Sequence, residues 1–324
     1  MSLLVLLEPK DDWTPASLQA AAAAGQLARR AGKRLQALGL GPPPKHPAGL
    51  LAGFGIETLH LLRGSDPGRY AGEQYLAPIA ELAAELQAEA IIGPASNLVR
   101  EICAATAARL DAELIQDGLD LDWTEGRLEV TKPFYAGKIL ARLRIGGTPA
   151  MATLRPNVFP VVRAGEDRPE LVYRDLSRVE LRIAVKQVLA AVRGAAALHE
   201  AKIIVAGGRG LGGAQHWPLL QQLADLLGAG LGASRAAVDS GWISQAHQIG
   251  QTGKVVSPAV YIACGISGAI QHQAGTRNAG IIVAINKDPR AEIFKWADYG
   301  LVGDLFEVVP ALIRELRNSH RQVA

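Results

Sequence analysis

Cysteine is nearly missing from this 324-residue chain: Cys103 and Cys264 stand far apart, in no CxxC or Cys/His cluster. Structural zinc and iron–sulfur centres therefore have no ligand set, and a disulfide framework is unsupported, which fits a reducing compartment. Long hydrophobic runs are missing too; no stretch reaches the roughly 20 apolar residues a membrane-spanning helix needs. The N-terminus has no basic leader and no Arg-rich transit pattern. It enters an apolar strand at Ser2–Leu7, followed by Glu8, Asp11 and Asp12, so a soluble, cytoplasmic chain is expected. Nor is there an excess of one charge. The formal net charge is +3, and basic residues occur as scattered pairs such as Arg29-Arg30 and Lys33-Arg34. A nucleic-acid footprint would show a stripe or run of Lys and Arg, so nucleic acid is not expected as a partner.

What remains is ordinary globular composition, 49% hydrophobic and 20% charged, in a chain longer than one core usually supports. Two domains follow, with bounds expected at 1–195 and 196–324. In the first, short apolar runs alternate with Ala/Leu-rich amphipathic stretches. Leu3–Leu7 reads as a strand, and Thr14-Pro15-Ala16 opens a helix reaching about Gly32, with Thr14 as N-cap and Pro15 at the first position. Strands are predicted near Leu35–Leu38, Glu57–Leu62 and Ala90–Gly93, and helices near Gly72–Ala88 and Leu98–Ala108. Such alternation argues for a parallel sheet covered by helices. From Leu119 to about Arg182 the pattern changes to short strands punctuated by glycine and proline, predicted to form an antiparallel annex. Val185–Leu198 reads as a helix near the domain junction. The second domain repeats the parallel pattern, with strands at Lys202–Gly207, Ala259–Ala263, Ile281–Ile285 and Leu301–Val302. Its helices are predicted near Trp217–Leu227, Ser267–Ala274, Glu292–Ala297 and Leu305–Asn318. The fold class is α/β: two doubly wound parallel-sheet domains, the first with a small antiparallel annex.

Several segments of the second domain carry chemistry. Gly208-x-Gly210-x-x-Gly213 follows a buried strand and matches the dinucleotide fingerprint, in which glycines let a pyrophosphate approach the backbone. The fingerprint also wants an acid ending the next strand; Gly232-Ala233-Ser234-Arg235 has none. An ordinary nicotinamide site is thus disfavoured, and a plain strand–helix turn competes with it. Gly250-Gln251-Thr252-Gly253-Lys254 is no triphosphatase loop, because Val255 stands where a magnesium-binding hydroxyl belongs. Its polar residues could border a planar ring or form only a solvated connector. Gly265-Ile266-Ser267-Gly268-Ala269 approximates a nucleophile elbow, although Ser267 reads better as a helix N-cap facing an anion. His272 would lie near whatever that terminus binds, or be structural. Asn286-Lys287-Asp288-Pro289 and Asp304-Leu305 end strands where open α/β sheets bind ligands, with a simple N-cap as the competing role for Asp304.

Taken together and in order, Gly207–Leu211 (GGRGL), Ala233–Asp239 (ASRAAVD), Gly250–Lys254 (GQTGK), Gly265–His272 (GISGAIQH), Ala284–Pro289 (AINKDP) and Ala297–Phe306 (ADYGLVGDLF) closely resemble the FAD domain of electron transfer flavoprotein alpha subunits. The likeness covers nearly all of 202–312. It extends more weakly to Tyr135–Lys138 and Thr153–Pro160 in the first domain. The resemblance implies FAD in the second domain, with Arg209 on the flavin side and Ser234 and Arg235 in contact with the cofactor. It implies that Ile249, Gly250, Gln251 and Thr252 edge the isoalloxazine, with the Thr252 hydroxyl at N5. Ser267, Gly268, Ala269, Ile270, Gln271 and His272 are implied at the ring and phosphates, with His272 near carbonyl O2 and able to titrate. Asn286, Asp304 and Leu305 are implied at the adenosine half. Reduction puts negative charge near N1 and O2, so a cation there favours uptake of the first electron.

The same resemblance implies an electron carrier with no substrate turnover of its own. It would pair with a smaller beta subunit, which packs on the first domain while the FAD domain pivots to meet redox enzymes. Acyl-CoA or other flavoprotein dehydrogenases, or NADH in bifurcating members, are implied as donors, and a membrane quinone oxidoreductase or another carrier as acceptor. Gly241–Gln248 (GWISQAHQ) and Cys264 look more like the nitrogen-fixation-associated and bifurcating branch than the one serving fatty-acid β-oxidation. A serine hydrolase using Ser267, or a nucleotide-binding module without a redox role, are the competing readings.

Overall fold

A computed structural model describes residues 2–64, 72–135, 137, 139–176 and 198–323. The chain divides into two compact units, 1–189 and 190–324. The helix expected at Val185–Leu198 and the junction expected near residue 195 fall mainly in 177–197, outside the described residues.

The first unit runs β1 (Ser2–Leu7), α1 (Pro15–Ala31), β2 (Arg34–Gly39), β3 (Ile56–Arg63), α2 (Glu73–Glu85), β4 (Ala88–Pro94), α3 (Asn97–Leu110), β5 (Leu114–Gly118), β6 (Asp120–Thr124), β7 (Arg127–Phe134), β8 (Ile139–Arg144), β9 (Ala150–Leu154) and β10 (Glu170–Asp175). Helix α1 starts and stops as its end residues dictate. Thr14 accepts a hydrogen bond from Ser17 N–H, Pro15 opens the first turn, and Gly32 takes the left-handed conformation after the last one. The sheet order is β10-β3-β2-β1-β4-β9-β5, and every pairing is parallel. Both faces are covered. Leu3, Val5 and Leu7 of β1 enter the core shared with α1, whereas Leu4 and Leu6 enter the core shared with α2 and α3. That is why β1 is apolar throughout Leu3–Leu7 instead of alternating.

The structure corrects the annex expected over 119–182. Only β6, β7 and β8 form the antiparallel sheet. Strand β9 instead joins β4 and β5 in parallel, and β10 joins β3 in parallel as an edge strand. A short strand between prolines and glycines looks the same in sequence whichever direction its partner runs; the partner is fixed only by tertiary packing.

The second unit runs β11 (Ile203–Gly207), α4 (Trp217–Leu227), β12 (Gly230–Ala233), α5 (Arg235–Asp239), β13 (Val260–Cys264), α6 (Ile270–Thr276), β14 (Ile281–Asn286), β15 (Tyr299–Val302) and α7 (Leu305–Val323). Its parallel sheet has the order β12-β11-β13-β14-β15. Val205 packs toward α4 and α7 on one face, while Ile204 and Ala206 pack with Ile249, Val256, Ile266 and Ile293 on the other. Strand β12, Gly-Leu-Gly-Ala, was not legible as a strand because glycine has poor β propensity. At Gly232 a Cβ would meet the tip of the Ile249 side chain, which would have to shift. Two helix boundaries also differ from expectation. The segment Glu292–Ala297 forms only a 3₁₀ turn at Glu292–Lys295. Helix α6 begins at Ile270, so the N-cap position falls on Ala269, which makes no side-chain cap, and not on Ser267.

Candidate functional site

Strands β11, β12, β13 and β14 all end at one rim, and the segments following them, together with 249–252, enclose a cavity of about 570 Å³. This is the crevice at the carboxyl ends of a parallel sheet where α/β proteins hold ligands, and its size suits a cofactor-sized molecule. Of the residues the resemblance implies, Arg209, Ser234, Arg235, Ile249, Gly250, Gln251, Thr252, Ser267, Ala269, Gln271, His272 and Asn286 line it. The remaining four lie elsewhere. Gly268 is buried against the Ile293 backbone, and Ile270 is exposed. Asp304 accepts a hydrogen bond from Phe306 N–H at 2.8 Å, the capping role for α7, and Leu305 is in the core beneath it. Gly210, Ala236, Gly265, Ile266 and Asp288, which fall inside the motifs read from sequence but were assigned no cofactor contact, also line the cavity, as do Arg290, Ala291 and Glu292, which fall in none of those motifs.

Each wall has a local cause. Arg209 sits on a 3₁₀ turn right after β11, held against β13 by Gly208 N–H to the Cys264 carbonyl and Gly210 N–H to the Gly265 carbonyl, both 2.9 Å. Ser234 caps α5, its hydroxyl accepting from Ala237 N–H at 3.4 Å. Arg235 is exposed and pairs with Asp239 one turn on, at 3.2 Å. Exposed pairs of this kind contribute little, so the guanidinium can turn to a bound anion at small cost. After β14, Asp288 N–H donates to Asn286 Oδ1 and Arg290 N–H donates to Asp288 Oδ1. Two successive side-chain-closed turns thus bring Arg290 back to the cavity, and the Asn286 amide anchors them by donating to the Ile266 carbonyl at 2.9 Å. Three arginines face two carboxylates, Asp288 and Glu292, around the lining. Because Arg235 is neutralised by Asp239, the positive surplus arises when that guanidinium turns to a ligand, and it then favours an anion.

The 249–254 segment is fixed to α6 by polar contacts. Gln251 N–H donates to the Gln271 carbonyl at 2.7 Å and Val256 N–H to the Gly275 carbonyl at 2.8 Å. His272 is buried, with Nδ1 3.1 Å from the Ile249 carbonyl and Nε2 2.7 Å from the Tyr261 hydroxyl. A carbonyl only accepts, so Nδ1 bears the proton. Burial pushes the pKa of His272 down to about 4, opposed by the Ile249 hydrogen bond. The ring is therefore neutral at physiological pH, Nε2 accepts, and Tyr261 donates. Tyr261 is itself completely buried, which raises its own pKa well above the usual value. This revises the expectation of a titrating histidine: to reach a flavin carbonyl, the ring would have to give up a partner.

A flavin dinucleotide fits what the cavity offers. Arginines are available for a pyrophosphate, Ala269 and Ala291 offer apolar surface to a ring, and Thr252 supplies a hydroxyl. The hydrolase reading loses its geometry. Among the described residues no histidine or carboxylate hydrogen-bonds Ser267, whose carbonyl accepts from Ile293 N–H, and the nearby His272 is committed elsewhere. Clusters of His, Cys, Asp and Glu able to hold a metal ion are likewise absent among the described residues. No helix among them is long and apolar enough to cross a membrane.

Comparison with known proteins gives the same picture along the chain. Residues 3–179 match the family profile described as the electron transfer flavoprotein domain, and residues 197–277 match the electron transfer flavoprotein FAD-binding domain. Electron transfer flavoprotein subunit alpha of Thermoanaerobacterium thermosaccharolyticum is 41% identical over 300 residues, covering 91% of each chain. The subunit alpha of Bacillus subtilis is 43% identical over 260 residues, covering 79% of this chain and 80% of its own. Protein FixB of Bradyrhizobium diazoefficiens is 37% identical over 302 residues, covering 90% of this chain and 81% of its own. The chain belongs to the electron transfer flavoprotein alpha-subunit family and carries that family's FAD-binding domain.

Proposed function

We infer that this chain holds FAD in the cavity at the rim of the second sheet and works as an electron carrier paired with an electron transfer flavoprotein beta subunit. The observation that carries this reading is the convergence of four strand ends and the 249–252 segment on one arginine-bearing cavity. FAD, when bound, supplies the one-electron chemistry of its isoalloxazine ring. The chain's own residues do the rest. Arg209, Arg235 and Arg290 neutralise phosphate and the charge that arrives with an electron. Ala269 and Ala291 offer the ring apolar surface, backed by the core residues Ile249 and Ile266. Thr252 offers its hydroxyl at N5, while His272 and Tyr261 hold the Ile249 backbone in place. Asn286 shapes the loop at the adenosine half. Flavoprotein dehydrogenases acting on acyl-CoA or other substrates, or NADH in a bifurcating arrangement, are the proposed donors, and a quinone oxidoreductase or another carrier is the proposed acceptor. Both "FixB" and "subunit alpha" names occur among the relatives, which supports a shared carrier role without favouring one donor.

Reductive titration of the chain co-produced with its beta partner tests this. Arg235→Ala removes a cation that is exposed in this structure. The loss is then on the order of 1 kcal/mol after solvent screening. The midpoint for the first electron should fall by tens of millivolts. Purified heterodimer without flavin absorbance, or an unchanged midpoint in the variant, would contradict the assignment.

A further inference from the structure

Gln248 is buried and does not line the cavity, yet its side chain reaches the hydroxyl that does. Its Nε2 donates to Thr252 Oγ1 at 3.0 Å. The intervening loop is closed on itself. Lys254 N–H donates to the Gln248 carbonyl at 2.8 Å, Gly250 N–H to the Lys254 carbonyl at 3.2 Å, and Gly253 N–H to the Gly250 carbonyl at 3.0 Å. Gly253 is pressed so closely on the Gln248 carbonyl that a Cβ would collide with it. On its other side, Ile249 N–H donates to the Ala233 carbonyl of β12 at 2.9 Å. The backbone on either side of Gln248 is thus held, which places its side chain beside Thr252.

The polarity of this contact is what matters. A hydroxyl has one proton and two acceptor lone pairs, whereas an amide NH2 can only donate. Gln248 therefore occupies a lone pair of Thr252 and leaves its proton unclaimed. Among the described residues no acceptor takes that proton, and Thr252 stands exposed on the cavity wall. A threonine free to rotate could present either a donor or an acceptor to a ligand. This one is biased to donate.

We propose that Gln248 is a positioning residue that fixes Thr252 as a hydrogen-bond donor toward flavin N5. The proposal rests on the reading of Thr252 as the N5 partner. Oxidised flavin presents a lone pair at N5, so a donor there is matched and an acceptor is not. Gln248 would act only through Thr252.

Reversing the polarity at constant size provides the test. Gln248→Glu places a group that, ionised, can only accept; it would claim the Thr252 proton and turn lone pairs to the cavity. Protonated, the same carboxyl can donate again. The measurement is the 15N resonance of N5 in the heterodimer loaded with 15N5-labelled FAD, recorded across pH for the wild type, Gln248→Glu, Gln248→Leu and Thr252→Val. The wild type should show a hydrogen-bonded N5 independent of pH, and Thr252→Val an unbonded one. Gln248→Glu should match Thr252→Val at alkaline pH and move toward the wild type as pH falls, a titration that a merely structural role would not create. Gln248→Leu introduces no charge and should show a weakened hydrogen bond at every pH, which keeps the test in hand if the glutamate variant retains no FAD. Wild-type resonances in both Gln248 variants, with the signal lost in Thr252→Val, overturn the proposal alone. An unchanged resonance in Thr252→Val overturns the N5 reading beneath it.

Discussion

Replacing Gly275 by alanine should destabilise this protein, although the same change in an exposed helix normally does the opposite. Gly275 lies in α6, where alanine is favoured over glycine by about 1 kcal/mol on helix propensity. Its neighbours reverse the sign. A Cβ at Gly275 would lie 2.6 Å from Gly250 Cα and 3.1 Å from the Lys254 carbonyl oxygen, with the Gly250 nitrogen closer still. These are backbone atoms and cannot swing aside, so the 249–254 loop must lift by several tenths of an ångström. Overpacking of this kind costs roughly 1–3 kcal/mol, more than the propensity gain. The lift also strains the Val256 N–H bond to the Gly275 carbonyl and moves Ile249 to Thr252 at the cavity wall. A net loss of about 1 kcal/mol in chemical denaturation is expected, with FAD affinity, read by flavin fluorescence, about tenfold weaker for each 1.4 kcal/mol misplaced. A variant as stable as the wild type with unchanged FAD affinity would show that the loop does not rest on α6 as described.

His60 and His272 are each held with pKa lowered to about 4, burial being the larger cause in both, so the unfolded chain takes up protons that the folded one refuses. Stability should be complete above pH ~6.5 and fall as pH drops toward 4, by up to about 3 kcal/mol for the deeply buried His272. Denaturation at a series of pH values checks this; the paired change Tyr261→Phe with His272→Leu, which leaves no hydroxyl unpaired but lowers the overall level by freeing the Ile249 carbonyl, should flatten the slope, and an unaltered slope would refute the buried neutral assignment. At the other end of the chain, Thr14→Ala removes the α1 cap and the Thr14–Ser17 hydroxyl contact, and should lower stability by about 1 kcal/mol in the same assay.

Much of the scaffold was legible because its signals are local. Thr14, Pro15 and Gly32 bracket α1 in the sequence as they do in space, and the apolar run of β1 announces a strand buried on both faces. Strand direction is not local. Nothing in Ala150–Leu154 or Glu170–Asp175 tells that their partners are β4 and β3, far back in the chain, instead of the adjacent hairpin. The cavity shows the same division. Motif-bearing stretches such as Ile249–Thr252 were found, whereas Arg290 arrives through side-chain turns at Asn286 and Asp288 that carry no phosphate-binding pattern. Ser267 does not cap α6, because the glycine-rich stretch stays irregular up to Ala269 and the helix begins only at Ile270. The constraint on His272 could not be read either, since Tyr261 lies eleven residues away on another element and meets it only in the fold.

The most direct test of the whole account is diffraction from the FAD-loaded protein. Density for the isoalloxazine should fill the cavity between Arg209 and Thr252, with the phosphates toward Arg290. Stoichiometric FAD bound anywhere else on the chain, with that cavity closed, would contradict it.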